Sequence, residues 1–441
     1  MKIRSLQVTN FRCFESLAVE FDSQLTVLTA SNGMGKTAIL EALATGLGVF
    51  FSSLPNIPGR NPKETDFRVG DDGKKPPYMR IRVETTDGIA WDRTERRDKA
   101  PNTLKSIPEG IGYKAITQYA IKVFNEWGNF GNKLPLIAYY GTGRAVFDTP
   151  KSRRGFKKNT SINDAYRGAL DAKPNFNRFF EHFYFLEDLE RREMQERRDW
   201  DYRSFEMEII REAISRMMPG FSNPHSKLRP LRFMIDWKHD DNKQQTLRIE
   251  QLSDGYRTTL AMAMDIASRL AGLNQASTIS QALDAEGVVL IDEIDLHLHP
   301  SWQQSILPDL MRTFPGIQFI VTTHSPQVLT TVKRANIRYL EVNEEGIIVA
   351  ITPHDETIGV ASQVMLNDGM KVNPIPPVKE ADWYADYIAK IESGCHNDEE
   401  GQQLRQKLVD LYGPTHALIR DADRLIRFQE FKLRKKIDSK E

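Results

Sequence analysis

The chain has 441 residues, 40% of them hydrophobic and 27% charged, with 60 Lys plus Arg balanced by 60 Asp plus Glu. That length exceeds one ordinary core, so two lobes or a core with insertions is expected. Zero net charge leaves nucleic-acid binding only to a local basic patch. Two distant cysteines, Cys13 and Cys395, with no CxxC, argue against a disulfide scaffold or a structural zinc site and suit a reducing, cytoplasmic setting. No run of about 18 apolar residues occurs, so no membrane span is expected.

Alternation of apolar and polar residues predicts strands over 3–8 and 17–21. The apolar run 25–30 reads as a buried strand. It feeds a glycine-rich turn (31–37) and then a helical pattern in AILEALATGLGVFF. Residues 55–77, rich in Pro, Gly and charge, read as an irregular excursion. YMRIRVET and IAWDRTERR form a hairpin around Asp87-Gly88. LPLIAYY (134–140) is another buried strand, ending in GTGR. Residues 145–245 are rich in Arg, Glu and aromatics and read as a helical insertion or lid. The second half runs through a strand (246–250), a helix (256–272), the strand GVVLIDE, a helix (301–313), the strand IQFIVTT, a helix (326–333) and a hairpin near 337–351. This alternation predicts an α/β fold with a parallel sheet covered by helices. The expected divisions are an N-terminal lobe (1–144), the insertion (145–245), a C-terminal lobe (246–378) and a charged helical tail (379–441).

ASNGMGKT (30–37) matches the phosphate-binding pattern G-x-x-x-x-G-K-[ST], except that Ala30 stands where the first glycine is usual. Asn32, Gly33 and Gly35 form a turn whose backbone N–H groups can face phosphate oxygens. Lys36 supplies a point charge to the β- and γ-phosphates. Thr37 offers a hydroxyl to Mg²⁺, and the next helix presents its positive end to the anion. These residues imply ATP with Mg²⁺ as the ligand. VVLIDE alone is a common buried strand ending in acids. Beside a phosphate-binding turn, Asp292 becomes a holder of Mg²⁺ and Glu293 the group that orients and deprotonates water. His324, at the end of the strand FIVTTHS, is placed to contact the γ-phosphate. Ser253 and Gly255 in LSDGYR open a helix and make either a plain cap or an anion-binding N-terminus. In DLHLHP, His297-x-His299 has zinc-pair spacing. Behind the acids just assigned, the two read better as interface or switch residues.

The order NFRCF, ASNGMGKT, LSDGYR, VVLIDE, DLHLHP, TTHS resembles the ABC-class ATPases of the SMC/RecF/OLD type over residues 1–350. The resemblance implies a mixed-sheet ATPase head that pairs head-to-tail, or assembles further with itself. Lys36, Thr37, Asp292, Glu293 and His324 of one subunit would then face Ser253 and Gly255 of its mate. It also implies that Arg12 and Arg144 contact nucleotide, and that Asp295 begins a loop crossing to the partner. The span between the turn and LSDGYR leaves no room for a long coiled coil. DAD (421–423) lacks the neighbours of a Toprim metal site. What remains is similar to the ATPase subunits of Septu anti-phage systems, also found with retrons, whose partner is an HNH nuclease. A RecF-like repair ATPase, or the ATPase half of a pair with a separate Toprim effector, are the rival readings.

KSRRGFKK (151–158) is either a solvated loop or a contact to a phosphate backbone through Lys151, Arg153, Arg154, Lys157 and Lys158. FKLRKK near the end is a weaker candidate. Trp383, Tyr384, Tyr387, Leu411 and Tyr412, interspersed with charge, suit docking of a subunit.

Overall fold

The computed structural model describes the whole chain except residues 71, 128–133, 146–161, 173–175, 239–242, 275–277 and 439–441. The basic stretch 151–158 lies outside the described residues. Clustering of contacts separates two compact units, Met1–Met365 and Leu366–Glu441. The division falls before the expected 378/379 boundary.

The first unit begins with β1 (Ile3–Phe11), β2 (Phe14–Glu20), β3 (Leu25–Thr29) and α1 (Lys36–Ser52). It continues through β4 (Tyr78–Thr85), β5 (Ala90–Arg96), α2 (Pro101–Lys105), α3 (Lys114–Glu126) and β6 (Leu136–Tyr140). Then come α4 (Ile162–Tyr166), α5 (Phe176–Arg197), α6 (Phe205–Met217), β7 (Phe221–Leu228), β8 (Leu231–Lys238) and β9 (Gln244–Arg248). The last part holds α7 (Asp254–Leu273), α8 (Ile279–Leu283), β10 (Gly287–Ile291), α9 (Pro300–Gln303), α10 (Ile306–Thr313), β11 (Ile317–Thr322), α11 (Pro326–Leu329), β12 (Ile337–Val342), β13 (Ile348–Ile351) and α12 (Ser362–Val364).

Every residue of β3, β6, β10 and β11 is buried. Strands covered on both faces need no polar alternation, which is why they read as continuous apolar runs. They are consecutive neighbours in a six-stranded sheet in the order β13-β12-β3-β11-β10-β6, with β6 at its edge. All its pairings are parallel except β12 with β13. The alternating strands make a second, antiparallel sheet, β2-β1-β4-β5. Gly88 carries the left-handed backbone of the β4–β5 turn, at φ 78°. The inner face of this sheet packs on α1. Trp91 is fully buried there and its indole N–H donates to the Gly46 carbonyl at 3.0 Å.

A buried polar side chain joins the two sheets. Gln318, buried in β11, accepts from the Ile3 N–H (2.6 Å) and donates to the Ile3 and Asp22 carbonyls, both at 2.7 Å. Gln318→Ala strands these buried backbone groups. We expect a loss of about 2–4 kcal/mol, read as a lower urea midpoint than that of the parent chain.

The 145–245 insertion, expected to be helical, carries strands as well as helices. Its helices α5 and α6 lead into a third sheet, β7-β8-β9, paired antiparallel throughout. Phe233 of β8 packs edge-on against Phe180 and Phe183 of α5 at 5.2 and 5.0 Å between ring centroids. The aromatic residues that suggested a helix are thus the contact between that helix and a sheet. The helix expected over 301–313 is also broken, into α9 and α10.

The second unit contains α13 (Lys379–Glu392), α14 (Glu399–Tyr412) and α15 (Ala417–Asp438) around a core of Tyr387, Ile391, Leu404, Leu408, Ile419 and Ala422. Tyr387 is a core residue, and Trp383, Tyr384 and Tyr412 pack against that core. Of the five candidate docking residues, Leu411 stands out, 51% exposed. In DAD, Ala422 is fully buried and Asp423 accepts from Arg405 at 2.6 Å, so this carboxylate serves an ion pair within the three-helix unit.

Candidate functional site

The carboxyl ends of β3, β11, β10 and β6 lie side by side, the place where parallel α/β sheets bind ligands. β3 leads into the glycine-rich turn. Gly33 and Gly35 have φ of 83° and 89°, a region in which a side chain is strained. A Cβ at Gly35 would also stand 2.3 Å from Phe14 Cζ and 2.6 Å from Cys13 Sγ, whereas Gly33 faces open space. NFRCF therefore forms the wall against which the turn closes. Ser31, Asn32 and Thr37 are exposed. α1 starts at Lys36 with no side-chain cap and no acid of its own in its first turn, so its positive end faces the glycine-rich turn.

Lys36 is buried and folds back over the turn, donating to the carbonyls of Ala30 (2.8 Å) and Ser31 (3.3 Å). Burial lowers its pKa from the ordinary lysine value, opposed by the charges of Asp292, Glu293 and Asp295. Thr37 donates from its hydroxyl to Asp292 Oδ2 at 2.9 Å, across 255 residues of sequence. Asp292 Oδ1 accepts from the Thr322 hydroxyl at 2.7 Å. The same hydroxyl accepts the Glu293 N–H at 2.7 Å. The motifs do not single out Thr322. A signal is present nonetheless, since it is a polar residue closing the apolar run Phe319–Val321. Thr323 donates to Asp295 Oδ1 at 2.6 Å, and the His324 backbone N–H lies 3.4 Å from that oxygen. Asp295 thus ties the turn after β10 to the end of β11 within one chain.

The two arginines expected to touch nucleotide both have partners within the chain. Arg12 donates from Nη2 to Asp66 (2.8 Å) and Glu41 (2.5 Å), and Arg60 joins Glu41 at 2.7 Å. Burial works against the Arg12 charge, but Asp66 and Glu41 outweigh it and hold its pKa above the usual value. Arg144 lies just beyond β6 and is only 2% exposed. Its guanidinium donates to the carbonyls of Gly141 (3.1 Å), Asp292 and Glu293 (2.5 Å). It reaches the acidic turn from beneath, through backbone.

Ser253 caps α7 by position but makes no side-chain cap bond, and it is exposed. Gly255 is buried, and a Cβ there would stand 2.5 Å from the His297 carbonyl oxygen. This glycine lets the start of α7 approach the turn beyond the acids. His297 has φ 62°. His299 caps α9, with Nδ1 2.8 Å from Ser301 Oγ. Among the described residues no group of three or more His, Cys, Asp or Glu is placed to hold a metal ion, so the zinc-pair reading has no further ligand.

The residues present fit a nucleotide polyphosphate with Mg²⁺. Open space at Gly33 and an uncapped helix start suit phosphate oxygens. Thr37 and Asp292, already within 2.9 Å, are two oxygen ligands of the kind Mg²⁺ takes when phosphates and water supply the rest. Among the described residues no helix is long and apolar enough to cross a membrane.

A family model described as an AAA domain matches residues 5–219. A second, described as "AAA domain, putative AbiEii toxin, Type IV TA system", matches 144–330. The Retron Ec83 probable ATPase of Escherichia coli is 29% identical, over 94% of this chain and 84% of its own length. The Septu protein PtuA of Bacillus mycoides is 45% identical over 98 residues, 22% of this chain and 13% of the relative. The OLD nuclease of Thermus scotoductus is 23% identical, over 74% of this chain and 59% of its own. With this sheet order, phosphate-binding turn and acidic strand end, the chain resembles the P-loop ATPases of the SMC/RecF/OLD type, and Septu PtuA and a retron ATPase are among its relatives.

Proposed function

We propose that this protein binds and hydrolyses ATP with Mg²⁺ and acts as the regulatory subunit of a bacterial anti-phage defence complex in the cytoplasm. The observation that carries the reading is the Thr37–Asp292 hydrogen bond, which joins the phosphate-binding turn to the acidic strand end. The similarity to a Septu protein and a retron ATPase supports the defence setting.

Asn32, Gly33 and Gly35 present backbone N–H groups to the phosphates, and Lys36 leaves its two loop carbonyls for the phosphate charge. Thr37 and Asp292 hold the cation. When bound, Mg²⁺ neutralises phosphate charge as it develops. Glu293 accepts a proton from water, and His324 contacts the terminal phosphate and registers its loss. Arg12 flanks the turn. Ser253, exposed and without a cap bond, with Gly255 behind it, completes the site of a second copy in a head-to-tail pair. The opening and closing of that pair controls an associated nuclease of the HNH type. The candidate DNA-contacting residues are Lys151, Arg153, Arg154, Lys157 and Lys158.

A complementation experiment tests the shared site. Lys36→Ala and Ser253→Arg each disable hydrolysis alone. The arginine is tolerated structurally because the serine side chain makes no cap bond. A head-to-tail pair of the two variants has one intact site, so an equimolar mixture recovers about a quarter of the parent activity. Random pairing sets that fraction, since half the pairs are mixed and each carries one of two sites. A mixture no more active than its components would sink the shared site.

A further inference from the structure

The carboxylate that this reading relies on stands on an unusual peptide. Glu293 has φ 48°, the left-handed region that side chains other than glycine and asparagine seldom enter. Such a conformation persists only where its surroundings enforce it. Part of the enforcement is backbone to backbone: the Asp292 N–H donates to the Tyr140 carbonyl at 2.8 Å and the Ile294 N–H to the Thr322 carbonyl at 2.9 Å. The Glu293 N–H donates to Thr322 Oγ at 2.7 Å, and its carbonyl accepts from Leu296 N–H at 2.9 Å. Both carbonyls that flank the residue are also held by one side chain. Arg144 donates from Nη1 to the Asp292 carbonyl and from Nη2 to the Glu293 carbonyl, at 2.5 Å for the latter. The two ends of its guanidinium thus grip two consecutive carbonyls, one on each side of the strained residue.

A cation buried to this degree is costly, and its hydrogen bonds go to backbone rather than directly to a carboxylate. Burial pushes the Arg144 pKa down to about 10, with Asp292, Asp295 and Glu293 opposing. It therefore stays charged at neutral pH. A lysine has one compact ammonium and lacks the flat fork that spans two successive carbonyls.

We propose that Arg144 is a positioning residue for Glu293, bridging the carbonyls of Asp292 and Glu293 to hold the left-handed turn that sets where the Glu293 carboxylate stands. The inference rests on Glu293 being the base in hydrolysis.

The test uses the full chain with Arg144→Lys and Arg144→Met, each alone and combined with Glu293→Gln. ATP turnover and binding of a non-hydrolysable ATP analogue are both measured. Displacing a catalytic group by about 1 Å costs on the order of 100-fold. We therefore expect kcat to fall about 10- to 100-fold in both Arg144 variants, with analogue affinity within about threefold of the parent. In the Glu293→Gln background the same changes should lower single-turnover hydrolysis no further, because the group being positioned is gone. A purely structural role would not give that non-additivity.

Three results would overturn the proposal. They are parent-like kcat in the Arg144 variants, a loss of analogue affinity matching the loss of kcat, or a full additional drop on top of Glu293→Gln. If Arg144→Met does not fold, Arg144→Lys keeps charge and length and decides alone. Failure of the wider reading looks different: Glu293→Gln by itself would then hydrolyse ATP normally, removing the base and this inference with it.

Discussion

Glu293→Gln is expected to lower ATP turnover by about 100- to 10,000-fold while leaving ATP binding intact. The amide keeps the shape of the side chain and cannot accept the proton. Nothing that holds the backbone depends on the carboxylate: the Glu293 N–H goes to Thr322, and its carbonyl to Arg144 and Leu296. The cation site also survives, because Asp292 receives Thr37 and Thr322 independently. The variant should therefore fold, bind nucleotide and stop there, with closed pairs accumulating when ATP is added. Radiolabelled phosphate release measures the first effect, and native mass in the presence of ATP measures the second.

Lys36→Ala is expected to act one step earlier. The Lys36 ammonium is buried and, among the described residues, donates to the carbonyls of Ala30 and Ser31. Burial lowers its pKa, and the charges of Asp292, Glu293 and Asp295 only partly offset it. A polyphosphate adds a counter-charge at contact distance, so binding relieves a cost already present in the free protein. Removing one partner from such a buried charged pair costs about 2–5 kcal/mol, which is on the order of 30- to 5,000-fold in affinity. Equilibrium titration with a fluorescent ATP analogue reads the loss directly. Stability should change little or rise slightly, because alanine in the first turn of α1 removes a buried charge and keeps helix propensity.

Both expectations rest on motifs legible in order along the chain. Each of the strands β3, β10 and β11 is apolar throughout its length or nearly so, and each ends where a polar cluster begins. A parallel sheet forces that pattern, because its strands are buried on both faces and ligands meet their carboxyl ends. The same pattern marks β6, but the role of Arg144 beyond its end has no such signature. An arginine after a strand is ordinarily a surface residue. Arg144 is buried because the carbonyls of Asp292 and Glu293 lie above it, 148 and 149 residues further along the chain. No local pattern carries that information.

The third sheet is hidden in the sequence for a different reason. β7 contains Asn223 and Pro224 with a register irregularity between Ser222 and His225, so its alternation is interrupted. β8 buries four consecutive residues, Phe233–Asp236, and shows no period of two either. Its identity is set by packing on α5. Helix α3 is equally hard to see because only Ile116 and Ala120 are buried along it, too few to make a visible stripe. In the second unit, aromatic residues scattered among charges resemble a docking face. Helical spacing instead places Tyr387 and Ile391 on one inward stripe.

The central claim is that Thr37, Lys36, Asp292 and Glu293 form one ATP site with divided roles. The most direct measurement compares bound nucleotide and phosphate release in the parent chain, Lys36→Ala and Glu293→Gln under the same conditions. The account predicts binding and release in the parent, neither in Lys36→Ala, and binding without release in Glu293→Gln. Release by Glu293→Gln at the parent rate, or tight binding by Lys36→Ala, would contradict it.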